Sequence, residues 1–99
     1  STTMSESRDV YVKKIKAKLD EWNAEIDRLE AISRQKGADM QAAYQNRLEE
    51  LKEKRQSTRM KLEKLQSAGE NAWQDLKEGV ESAAQSLGEA LKAAQSRFK

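Results

Sequence analysis

The sequence predicts an all-α fold: an antiparallel coiled-coil helical hairpin, with a long helix over about residues 6–66, a break at 67–70 and a second helix over about 70–98. Three observations carry this reading. First, of 99 residues 36% are charged, 36% hydrophobic and 5% aromatic, with no proline and four glycines. Ala, Glu, Lys, Leu, Gln and Arg dominate, and these lose little rotamer freedom in a helix. Such a profile fits a helical rod with a narrow apolar seam, whereas a disordered chain carries more proline and glycine. Second, apolar residues recur at helical spacing along most of the chain. Third, Gln66-Ser67-Ala68-Gly69-Glu70-Asn71 separates a heavily charged first part from an Ala-rich amphipathic last part. The alternative fold is a three-helix bundle with an extra turn near Gly37. The length allows one domain, residues 1–99; residues 1–5 are expected to be disordered, or an addition ahead of a native start at Met4.

Taken in order, Thr3-Met4-Ser5-Glu6 fits a capping box, with Ser5 and Ser7 as rival caps and a helix start between 4 and 8. From there Val12, Ile15, Leu19, Trp22, Ile26 and Leu29 step by 3, 4, 3, 4 and 3, the heptad spacing of a coiled-coil seam. After Leu29 the seam weakens, because Ser33 and Lys36 occupy the next positions and Gly37 follows. Gly37 could close one helix, with Asp39 capping the next. A continuous helix is preferred because Leu29, Met40, Leu51, Leu62 and Trp73 recur every 11 residues, a step that holds one helix face in register.

Residues 52–61 form a second polar gap, with Arg55 and Thr58 where seam residues belong. A locally exposed stretch of helix is the preferred reading, and a polar residue that sets register is the other. Gly69 can adopt the left-handed conformation that ends a helix, and Ser67-x-x-Glu70 is a capping box that could begin one. Beyond it, Trp73, Leu76, Val80, Leu87, Leu91 and Phe98 follow one stripe together with Ala83, Ala84 and Ala94. Leu65, Leu76, Leu87 and Phe98 repeat every 11 residues.

A helix over 70–98 would be about 44 Å long at 1.5 Å per residue. Folded back from the break it would cover residues 38–67, so the expected hairpin core is Leu48, Leu51, Leu62 and Leu65 against Trp73, Leu76, Val80, Leu87, Leu91 and Phe98. The heptad Val12, Ile15, Leu19, Trp22, Ile26 and Leu29 would then lack a partner. It is the expected interface of a homo-oligomer, a dimer by preference.

Chemistry is thin. With neither Cys nor His there is no disulfide framework, and no thiolate or imidazole ligand for a metal. No phosphate-binding glycine loop occurs, and the serines lie in caps or polar faces rather than on an exposed turn. Glu21 with Glu25, and Glu49 with Glu53, share helical faces, yet a carboxylate metal site wants Glu-x-x-His companions. The expectation is a non-enzymatic protein without catalytic residues, cofactor, metal or small-molecule substrate. A net charge of +2, with both signs recurring along the chain, makes nucleic acid a weak third option for Lys13–Lys18 or Lys52–Arg59. A stress-related or membrane-surface role for the helix 70–98 ranks second, since its polar face is Ser- and Gln-rich while its apolar face is mostly Ala. An unidentified protein partner is a further option. No apolar run approaches a membrane span, and the default is a cytoplasmic protein.

The string Tyr11-Val12-Lys13-Lys14-Ile15-Lys16-Ala17-Lys18-Leu19-Asp20-Glu21-Trp22-Asn23-Ala24-Glu25-Ile26-Asp27, followed by Ala72-Trp73-Gln74-Asp75-Leu76-Lys77-Glu78-Gly79-Val80-Glu81, resembles a family of small bacterial coiled-coil domain proteins. The likeness runs from about residue 8 to the end, carried by the two Trp-centred segments, with Gly37 a departure from the family's Ala-rich middle. It implies a helical, bacterial, cytoplasmic protein and no catalytic residues. The 11-residue repeat of the last segment is similar in pattern to apolipoprotein-type and desiccation-protein helices.

Overall fold

Three helices, not two, make up the described residues. The computed structural model describes residues 2–98, with side chains from Ser7 onwards. Helix α1 spans Thr2–Arg34, α2 Ala38–Gln66 and α3 Glu70–Arg97, and no strand occurs among the described residues. They lie side by side in a bundle of 56 × 18 × 18 Å. The all-α class holds, while the continuous helix over 6–66 does not: the chain turns at 35–37 as well as at 67–69. Helix α1 begins at Thr2, ahead of the expected start, and takes in residues 2–5. The side chains of the Thr3/Glu6 capping box fall outside the described residues.

Both turns work alike, and neither glycine acts as expected. Gly37 (φ −66°, ψ 165°) and Gly69 (φ −77°, ψ 173°) are extended N-cap residues of α2 and α3, not left-handed terminators. Helix α1 tightens at its end through bonds from Gln35 N–H to the Ile32 carbonyl and Lys36 N–H to the Ser33 carbonyl, both 3.1 Å. The Gln41 side chain then donates to the free Arg34 carbonyl at 3.2 Å. Asp39 and Glu70 sit in the first turns of α2 and α3, where the helix dipole favours negative charge. No side chain caps the start of α3, so the Ser67/Glu70 box does not form. The Ser67 hydroxyl donates instead to the Lys64 carbonyl.

The core reveals why the 11-residue step misled. Leu51 and Leu62, both on α2, are buried on one face, but Met40 is 50% exposed, and Tyr44 one turn later enters the core instead. Leu29, Leu51, Leu62 and Trp73 all face the core from three different helices, so the step does not require one continuous helix, and Met40 in the first turn of α2 breaks it. Of the expected hairpin core, Leu48, Leu51, Leu62, Leu65, Val80, Leu87, Leu91 and Phe98 are buried, with Trp73 and Leu76 half-buried against them.

The seam positions of the polar gaps are not exposed, although much of the helix around them is. Ser33 and Thr58 are both 0% exposed, at the positions where the heptad spacing put seam residues. The Thr58 hydroxyl donates to the Lys54 carbonyl at 2.8 Å, so its own helix satisfies it. Around it, charged side chains tie the helices at their edges. Lys52 donates to Glu30 at 2.5 Å, Arg55 to Asn23 at 3.1 Å and Lys54 to the Ser86 hydroxyl at 2.8 Å.

Candidate interaction groove between α1 and α3

The three helix pairs do not close equally. Helix α2 packs closely along α3, and α1 along α2, while α1 and α3 touch least. Between these two runs an open groove of about 580 Å³. Ile15, Ala84 and Leu91 form its apolar floor, and Lys14 and Lys18 stand on the α1 rim, Glu81 and Glu89 on the α3 rim. Trp22 forms one wall and is half-buried. Gly88 lets the indole lie close: a methyl group built there would sit 3.4 Å from Cζ2 of Trp22.

This geometry changes the meaning of the α1 heptad. Val12, Ile15, Leu19, Ile26 and Leu29, expected at an interface between chains, are buried within the one chain. The third helix created by the Gly37 turn supplies the cover that a second subunit was expected to supply. Trp22 is the member of the set that keeps solvent-facing surface.

At one end of the groove sits an aromatic cluster whose members come from distant parts of the sequence. Tyr11 meets Trp73 edge-on, with ring centroids 6.2 Å apart and planes at 75°. The Arg8 guanidinium lies 4.6 Å from the Trp73 ring centroid, and the Lys77 ammonium 4.9 Å from that of Tyr11. Burial pushes the Tyr11 phenol up to about 12, and the neighbouring Glu81 carboxylate adds to the effect. Glu81 acts on the hydroxyl electrostatically without reaching bonding geometry, since the buried Tyr11 oxygen has no hydrogen-bond partner. A phenol held neutral in this way is poorly suited to proton transfer near neutral pH. Hydrogen bonding from Arg28 holds Glu25 below its usual range, and Lys52 does the same for Glu30. Glu21, Glu49 and Glu53 are exposed. Among the described residues no group of three Asp, Glu, His or Cys side chains is placed to hold a metal ion.

The fold and groove define a class, the three-helix bundle with one under-covered side. Compared with known proteins, the chain matches no family model, no curated protein and no solved structure. No described helix is long and apolar enough to cross a membrane.

Proposed function

We propose that this is a non-enzymatic interaction protein that associates with itself, and that the contact surface is the α1/α3 groove around Trp22. The single observation that carries this reading is the incompletely buried indole in an open, apolar-floored groove, on the side where the bundle is least closed. Tryptophan is among the residues most enriched at interfaces, because it combines a large apolar surface with little conformational entropy to lose. Covering its exposed part contributes about 1–2 kcal/mol, and two-fold symmetry counts it twice. The resemblance to bacterial coiled-coil domain proteins supports a cytoplasmic setting for such an assembly. A membrane-surface role for α3 is the weaker reading, because Val80, Leu87 and Leu91 already point into the core and lipid binding would require α3 to leave it.

Sedimentation velocity across a concentration series tests the proposal. The expected result is a monomer–dimer equilibrium that Trp22→Glu shifts to monomer while far-UV circular dichroism stays helical. A wild-type protein that remains monomeric at millimolar concentration would sink it.

A further inference from the structure

We infer that the groove is covered by a second copy of this chain laid end for end, so that the basic half of one α1 faces the acidic half of the other. The inference rests on the self-association proposed above and adds the direction of the partner and the side chains that read it. Its basis is the charge order along α1. Lys13, Lys14, Lys16 and Lys18 follow one another without an acid, and Asp20, Glu21, Glu25 and Asp27 follow without a base. Among the described residues only Glu25 of these eight forms an ion pair, with Arg28. The other seven charges are unspent within the bundle.

Lys14 and Lys18 line the groove, and helical spacing puts Glu21 and Glu25 on the same flank of α1. Two bases followed by two acids make a pattern that complements itself when reversed, with Glu21 unpaired among the described residues and Glu25 shared with Arg28. Turned about a two-fold axis near Leu19, Lys14 meets Glu25 of the second copy, Lys18 meets its Glu21, and symmetry repeats both pairs.

A parallel arrangement is less complementary. It would set α1 against α3 of the second copy at equal height, where Trp22 is level with Gly88. The lysines would meet Glu81 and the uncharged Gln85, and the glutamates would meet Glu89 as well as Lys92. An unrelated helix would have to carry the reversed pattern, which a second copy carries by construction of its own sequence.

Two measurements test this. The chain has no cysteine, so Ser7→Cys gives a single spin-label site near one end of the bundle. End-for-end pairing places the two labels about 40 Å apart at 1.5 Å per residue from the axis. Parallel pairing brings them within roughly half that distance, and that result overturns the inference while leaving self-association intact. In the second measurement, Lys14→Glu with Lys18→Glu makes the flank wholly acidic, and Glu21→Lys with Glu25→Lys makes it wholly basic. Each double variant is expected to lose affinity for itself by roughly tenfold or more, with helicity retained by circular dichroism. Mixing the two is expected to restore a 1:1 complex. A mixture no tighter than either variant alone would overturn the charge pairing, and a monomeric wild type would overturn both this inference and the self-association beneath it.

Discussion

The Tyr44 ring lies stacked on Phe98, with centroids 4.1 Å apart and planes 11° from parallel, and the Tyr44 hydroxyl donates to the Arg97 carbonyl at 3.0 Å. The start of α2 thus holds the end of α3, and both rings are buried. Phe98→Ala is expected to lower unfolding free energy by about 3 kcal/mol, the usual loss for truncating a buried aromatic ring. Tyr44→Phe keeps the stack and removes one hydrogen bond, for a loss of about 1 kcal/mol. Chemical denaturation measures both, and equal effects would mean that the stack contributes little.

Ser33 is fully buried with its hydroxyl oxygen unpaired. Ser33→Ala removes a polar group that was stripped of water without compensation, and alanine is also the better helix former. A gain of about 1 kcal/mol is expected, or roughly 4–8 °C in Tm for a domain of this size. A loss of stability would mean that the hydroxyl has a partner, such as an internal water.

Gly79 and Gly88 both lie inside α3, yet they predict different outcomes. A methyl group on Gly79 meets nothing within 4 Å, so Gly79→Ala is expected to stabilise by about 1 kcal/mol through helix propensity alone. At Gly88 the methyl group reaches ordinary contact with Trp22, and Gly88→Leu places a branched side chain in the groove where the partner would sit. Gly88→Leu is expected to abolish self-association in sedimentation while leaving the bundle helical. An unchanged dimer would place the contact surface elsewhere.

Stability should fall at both ends of the pH scale, for opposite reasons. Glu25 and Glu30 have folded pKa values below their ordinary 4.5. Their contribution is therefore present above pH 4.5 and is lost as pH falls through the folded values. Both are surface pairs, so the loss is modest. Tyr11 runs the other way: raised from 10.0 to about 12, it contributes fully below pH 10 and loses that contribution as pH rises towards 12. Tyr11→Phe should flatten the alkaline loss between pH 10 and 12 in urea titrations; an unaltered slope there would put the responsible group elsewhere.

Legibility varied along the chain. The helices of residues 12–29 and 70–97 were plain, because their apolar residues keep a helical step unbroken. The turn at 66–70 is equally plain in the sequence, but its chemistry differs from the expected one: Gly69 caps α3 instead of ending α2. Ser33 and Thr58 occupy seam positions and as polar residues suggest exposure, yet both are buried: the Thr58 hydroxyl returns a bond to its own helix, while the Ser33 hydroxyl is buried without a partner among the described residues. The groove was invisible in advance. It depends on α1 and α3 being neighbours, and only a reversal at Gly37 makes them so.

The sequence by itself determined that the chain is helical, that its apolar faces are narrow, and that it turns between Gln66 and Glu70, since propensity and periodicity are local properties. The tertiary structure alone decided that residues 35–37 are a second turn, and with it that the Val12–Leu29 heptad is buried at home while Trp22 is left at the edge. The physical reason lies at Gly37. A glycine within a helix costs about 1 kcal/mol, too little to force a break, so the choice fell to the burial available when α1 folds back onto α2 and α3. That burial sums over many distant residues, and no local pattern records it.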